Sequence, residues 1–104
     1  MFFMITSTYP PTKARDVVQI FGKSVAEPLP PFLKRLHVLG AGGVGEQGIR
    51  TYSIFEATKG KEYDALAELT RRMAWYHDIE GVRYQIETLL TAEEVLPLWG
   101  IQTP

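Results

Sequence analysis

The hydrophobic period of the chain switches between two and about 3.6 residues, and each switch marks a predicted element. Phe2 to Tyr9, FFMITSTY, is dense in aromatic and β-branched residues and stops at Pro10-Pro11, which predicts a strand. Ala14, Val17, Val18, Phe21 and Val25 then recur at helical spacing, with Lys13, Arg15, Asp16 and Lys23 off the stripe. Thr12 is the expected N-cap of this helix, and prolines at 28, 30 and 31 end it. Further strands are predicted at Phe32 to Leu39 and Ile49 to Ala57. A turn at 59–62 leads into the strongest helical pattern, residues 62 to 78, whose apolar seam is Leu66, Leu69, Met73 and Tyr76. After Gly81 the period returns to two: Val82, Tyr84, Ile86 and Leu90 alternate against Arg83, Gln85 and Glu87. Thr91 and Glu94 make a T-x-x-E capping box before a short helix expected to break near Pro97.

The predicted order is β-α-β-β-α-β with a closing turn of helix, over a single domain spanning 1–104. That order predicts the α+β class and a ferredoxin-like split βαβ: a four-stranded antiparallel sheet with two helices on one face. Two right-handed crossovers would place the first and third strands in the centre.

Between the middle strands lies GAGGVG, in which Gly40-x-Gly42-x-x-Gly45 satisfies a dinucleotide-binding pattern. A phosphate loop must open a helix, whose free N–H groups meet the pyrophosphate. Here only Glu46 and Gln47 precede Gly48, and IRTYSIFEA then resumes as a β-favouring run. A parallel crossover needs about a dozen residues, so the stretch is expected to be the flexible tip of a hairpin and not a cofactor site.

Composition removes several classes of function. The chain has no cysteine, which excludes disulfides, thiol nucleophiles and Cys-ligated zinc. Its 11 basic and 12 acidic residues sum to a net charge of −1 with no like-charge block. Neither nucleic acid nor an anionic membrane is therefore an expected partner. The opening MFFMI is too short and lacks the basic flank of a signal peptide. A cytoplasmic domain is expected. Two histidines and scattered acids offer no metal-ligand spacing, so neither metal nor cofactor is expected.

The strands carry large apolar residues on both faces: Phe3 and Ile5 oppose Phe2 and Met4, and Ile49 and Phe55 oppose Tyr52 and Ile54. Read by strict alternation, Leu33, Arg35, His37 and Leu39 share one face. A sheet face left bare by the helices would then expose an apolar patch unusual for a monomer. A second copy closing over it, as an isologous homodimer, is the expected solution. With this element order over residues 2 to 90, the chain resembles the dimeric α/β-barrel superfamily. Locally, ITSTYPP and WYHDIEGVRYQIETLLTAEEVLPL look like a small, functionally uncharacterised family within it. The superfamily includes cofactor-free monooxygenases, muconolactone isomerases, haem enzymes and ligand-sensing domains, so the fold selects no one chemistry.

The expected function is small-molecule binding in a cavity between two facing sheets. The alternatives are a cofactor-independent monooxygenase- or isomerase-like enzyme acting on a small aromatic metabolite, and a non-catalytic assembly module. Candidate ligand-binding residues are Arg35, His37, Arg83, Gln85 and Glu87, with His37 as the candidate acid or base and an arginine orienting an anionic or carbonyl-bearing ligand. An Arg83–Glu87 same-face pair and a hydrogen-bonded His37 are the plainer alternative. His77 and Asp78 are neighbours on a helix and do not face each other, so they are not read as a catalytic pair. Trp99 and Ile101 are expected to dock on the partner subunit.

Overall fold

A computed structural model describes residues 1–102. Strand β1 (Phe2–Tyr9) is followed by helix α1 (Ala14–Ala26), the hairpin β2 (Leu33–Gly40) and β3 (Ile49–Ala57), helix α2 (Glu62–Met73), strand β4 (Arg83–Leu89) and helix α3 (Ala92–Leu98). Both predicted long helices begin or end in a 3-10 turn. Pro11–Lys13 leads into α1, and Ala74–Tyr76 carries α2 towards the turn before β4. Thr12 therefore lies inside a 3-10 turn and caps nothing. Pro11 starts that turn instead, its fixed φ suiting a first helical position.

The four strands pair in the order β2-β3-β1-β4, every neighbour antiparallel. The first and third strands are central, as the two crossovers predict, and the arrangement is compatible with the ferredoxin-like order. Glycines 40 to 48 form the hairpin tip. Gly45 and Gly48 exchange backbone hydrogen bonds of 3.1 and 3.0 Å, and β3 starts directly afterwards with no helix in between. Gly48 is required there. Its φ is +95°, and a Cβ would collide with the Tyr9 carbonyl.

The core lies on one face of the sheet. Phe3 and Ile5 of β1, Phe55 and Ala57 of β3 and Leu33 of β2 meet Ala65, Leu69, Met73 and Tyr76 from α2 and its 3-10 extension, with Val17 and Ile20 of α1 packed alongside. The α2 seam keeps Leu69, Met73 and Tyr76 as the sequence predicts, all buried, and differs at one position: Ala65 is fully buried, whereas Leu66 is 37% exposed. Arg72 lies on the same stripe and is only 3% exposed. It forks between the two helices, donating from Nη1 to the Ser24 carbonyl at 2.8 Å, from Nη2 to the Pro28 carbonyl at 2.8 Å and from Nε to Glu68 at 2.7 Å. These bonds satisfy the Ser24 carbonyl in the last turn of α1, which has no helical partner, and the Pro28 carbonyl just beyond the helix, and so fix α1 to α2.

β2 departs from strict alternation. Arg35 pairs with Phe55 but His37 pairs with Ile54, so two steps along β2 match one along β3 and Leu36 is the extra residue of a β-bulge. The bulge turns the rest of the strand over. Leu33 and Arg35 face the helices, whereas His37 and Leu39 face the opposite, uncovered side. The shared face expected for these four residues is corrected on that ground.

Helix α3 projects from the body. The capping box forms as the sequence predicts, Thr91 Oγ1 accepting from the Glu94 N–H and Glu94 Oε1 from the Thr91 N–H. Pro97 does not break the helix but sits in its last turn. The helix ends in a Schellman motif, with Gly100 at φ +75° and the Ile101 N–H bonded to the Leu96 carbonyl. Leu98 and Trp99 are 72% and 70% exposed. The molecule measures 47 × 32 × 17 Å, and its radius of gyration of 15.4 Å exceeds the value of about 13 Å expected for a compact chain of this length. No helix is long and apolar enough to cross a membrane among the described residues.

Candidate functional site

Large side chains fill only part of the helix-facing sheet surface. Phe3 pairs with Phe55, and both are buried under α2. Further along the same rows Ile5 pairs with Ser53, and Ser7 with Thr51. Three small polar residues thus occupy the stretch beneath α1, where a well-packed sheet would present branched apolar groups. Helix α1 finds little to rest on. It buries only Ser24 fully and leaves Val18 62% exposed, although Val18 belongs to its predicted apolar stripe.

The gap is a cavity of about 240 Å³ between α1, the end of α2 and the sheet. Its walls are mainly apolar, from Ile5, Val17, Phe21 and Met73, with Val38 brought in by the β2 bulge. The polar residues that line it are Ser7, Thr51, Ser53, Tyr9 and Tyr76. A dry cavity of about 150 Å³ accommodates benzene, so this one suits a molecule of one or two rings. A mostly apolar lining with a few converging polar groups is the usual character of a ligand site. A wider, more open trough of about 630 Å³ runs along the glycine hairpin past Thr8, Pro10 and Arg83.

Arg35 stands beside the cavity's Phe21–Tyr76 wall. Its guanidinium lies over Phe55 at 5.4 Å and over Phe21 at 6.0 Å, and it forms no ion pair among the described residues. Its Nε is buried and has no hydrogen-bond partner. Burial lowers the Arg35 pKa from its ordinary value, the nearby Arg72 charge lowers it further, and Tyr76 acts in the opposite direction. Burial in turn raises the Tyr76 pKa, with Arg35 opposing and Tyr9 adding to the rise. Tyr76 therefore remains a neutral hydroxyl donor at physiological pH. Tyr76 lines the cavity and Arg35 stands behind its Phe21–Tyr76 wall, so an O–H donor and a cation lie close to an apolar space, a combination that favours the oxygen of an acid or carbonyl.

The other sequence candidates lie elsewhere. Arg83, Gln85 and Glu87 pair with Thr8, Thr6 and Met4, which puts all three on the uncovered face. His37 is on that face too, exposed, in the row His37–Ile54–Met4–Glu87. Three strand spacings separate His37 from Glu87, roughly 14 Å, so one chain does not bring them together. Arg83 and Glu87, two pleats apart on β4, do not form an ion pair. His77 stacks on Tyr84 with ring centroids 5.6 Å apart and shares a 2.7 Å hydrogen bond with its hydroxyl. Trp75 lies against Lys23, Arg71 and Arg72 at 4.9, 5.3 and 5.8 Å and so acts as packing between the helices.

Sequence reasoning missed Tyr9, Tyr76 and the Ser7, Thr51, Ser53 trio as cavity residues. A signal was present. Serine and threonine interrupt the core-facing positions of two strands that otherwise carry Phe3, Ile5 and Phe55, and a core face broken by small polar residues marks either a packing defect or a site. No protein-family model matches the chain, and no curated protein matches it.

Proposed function

We propose that the protein binds a small, flat, mostly apolar molecule carrying one acidic or carbonyl oxygen, in the cavity between α1 and the sheet. The observation that carries this reading is Arg35. A guanidinium with a buried, unpartnered Nε beside an apolar cavity is destabilising unless something pairs with it, and no side chain among the described residues does. Ligand rings would fill the space over Ser7 and Ser53, with the oxygen reaching Arg35 and Tyr76. The cavity lining includes no carboxylate, imidazole or ammonium group, so binding is favoured over acid–base turnover. The expected inter-sheet cavity gives way in this proposal to one inside each subunit.

The binding unit is a homodimer of the dimeric α/β-barrel kind, closed through the uncovered sheet face. Supporting it are the apolar Phe2, Met4, Tyr52, Ile54 and Leu89 on that face, the exposed Leu39, and the protruding arm with Trp99 and Ile101 available to reach a partner. The test is titration with 1-naphthoate, followed by amide chemical shifts. Saturable shifts at Ser53 and Tyr76 are expected, abolished by Ser53→Leu, which fills the cavity. Binding that survives Ser53→Leu unchanged would place the ligand outside this space and end the proposal.

A further inference from the structure

Along its β4 edge the uncovered face carries charges in an order that complements itself. Along β4 the side chains on that face run Arg83, Gln85, Glu87: cation, neutral amide, anion. Across the sheet, Thr8 lies between Arg83 on β4 and Arg50 on β3, so the row at that end of the sheet is basic. Two rows away, Met4 stands between Glu87 and Ile54. None of Arg50, Arg83 and Glu87 forms an ion pair within the chain among the described residues. The space between holds Thr6 and Tyr52, with Leu39 beyond them.

We propose that a second copy of the chain covers this face with its strands running the opposite way, about a two-fold axis that follows the Gln85–Thr6–Tyr52 row. This rests on the homodimer proposed above and adds its register. A half-turn about that axis keeps each strand over its own mate and reverses it end for end. Gln85 meets Gln85 of the partner subunit on the axis. Arg83 comes opposite Glu87 of the partner subunit, and by symmetry Glu87 comes opposite Arg83 of the partner subunit. Each charge stands about 7 Å from the axis along the strand, and facing sheets lie about 10 Å apart, a gap that an arginine and a glutamate together span. The methylene stem of Arg50 lies across the partner sheet while its head reaches the rim.

The other simple face-to-face arrangement has its axis parallel to the strands. It lays the Arg83–Thr8–Arg50 row on the same row of the partner with the strand order reversed, so that no acid comes opposite either arginine. A charge enclosed in an interface without a counter-charge is strongly disfavoured. Apolar burial would hold either dimer together. The charge order along β4 selects the reversed one.

Sedimentation equilibrium of the intact chain tests this in two steps. A monomeric wild type would overturn the homodimer itself, and the register with it. If the wild type is dimeric, Arg83→Glu alone and Glu87→Arg alone should each weaken dimerisation by about tenfold or more, because each removes two symmetric pairs and sets like charges opposite. The combined Arg83→Glu, Glu87→Arg chain should return to near wild-type affinity. Two independent losses that simply add, or no loss at all, would overturn the register while leaving the dimer standing. A second readout does not depend on affinity. The chain has no cysteine, so Gln85→Cys should cross-link to its own mate through a short bis-maleimide, whereas Arg83→Cys, displaced from its own mate by roughly 14 Å along the strand, should not. The reverse pattern of cross-linking would refute the axis.

Discussion

Replacing Arg35 with methionine should make the protein more stable and less able to bind. In the wild type the buried Nε has no acceptor, a defect worth about 1–3 kcal/mol. The guanidinium also faces the Arg72 charge and is desolvated, both of which disfavour its charged form. Against this stand its contacts with the Phe21 and Phe55 rings at 6.0 and 5.4 Å, about 0.5–1 kcal/mol each. Methionine keeps much of the length and adds sulfur–aromatic contacts with the same rings, about 0.3–1.5 kcal/mol. The balance is a gain of about 1 kcal/mol, or about 4 °C in Tm for a domain of this size. The assay is guanidinium unfolding followed by Trp75 fluorescence, with both proteins at one protomer concentration because dimerisation is linked to stability. Naphthoate affinity should fall at least about tenfold in parallel, as expected for loss of a charge-assisted bond. A variant destabilised by more than about 1 kcal/mol would show that Arg35 belongs to the scaffold, and the case for a ligand would lose its main support.

Other consequences follow from the same contacts. Arg72→Met should lower unfolding stability by about 2 kcal/mol, since it leaves the Ser24 and Pro28 carbonyls unpaired while Glu68 keeps its bonds to Arg71; urea midpoints would measure it, and a loss under about 1 kcal/mol would contradict the fork described above. Gly48→Ala should cost about 2 kcal/mol or more through the left-handed backbone and the collision with Tyr9, and should broaden amide signals across the β2–β3 hairpin. The Glu68 pKa is held below its ordinary 4.5, chiefly by the Arg71 hydrogen bond with Arg72 assisting. Its contribution is therefore complete above about pH 4.5 and is lost as pH falls through the depressed folded value. Glu68→Gln should accordingly flatten the acid limb of the stability curve without moving its neutral limb in slope, and an unchanged acid limb would argue that other carboxylates govern it. Thr91→Ala should lower the helicity of α3 by removing its N-cap, worth about 1 kcal/mol, which amide exchange at Val95 and Leu96 would report.

Much of the candidate site could not be read along the chain, and β2 shows why. Strict alternation put Arg35 and His37 together, and only the pairing of both residues with β3 reveals the extra Leu36 between them. A bulge is a property of two strands, so a single strand carries no mark of it. The stripe on α1 holds at Val17 and Phe21 but not at Val18, for a related cause. Val18 is apolar and correctly spaced, but burial needs a partner surface, and Ser7, Thr51 and Ser53 on distant strands decline to supply one. Arg72 was not singled out at all. Its burial depends on carbonyls at Ser24 and Pro28, 48 and 44 residues away.

Local chemistry, by contrast, was decided within a few residues and is legible as such. The strands, the two long helices, the hairpin at the glycines and the Thr91–Glu94 box follow from side-chain period, φ freedom and hydrogen bonds between near neighbours. The sequence by itself determined these elements and, through their order, the antiparallel sheet with β1 and β3 at its centre. Tertiary structure alone decided which side of β2 each residue faces, that α1 stands over small residues and leaves a cavity, and that the Nε of Arg35 is buried without a partner. Those outcomes depend on what residues remote in the chain place opposite one another, and packing at a distance has no period to leave in a sequence.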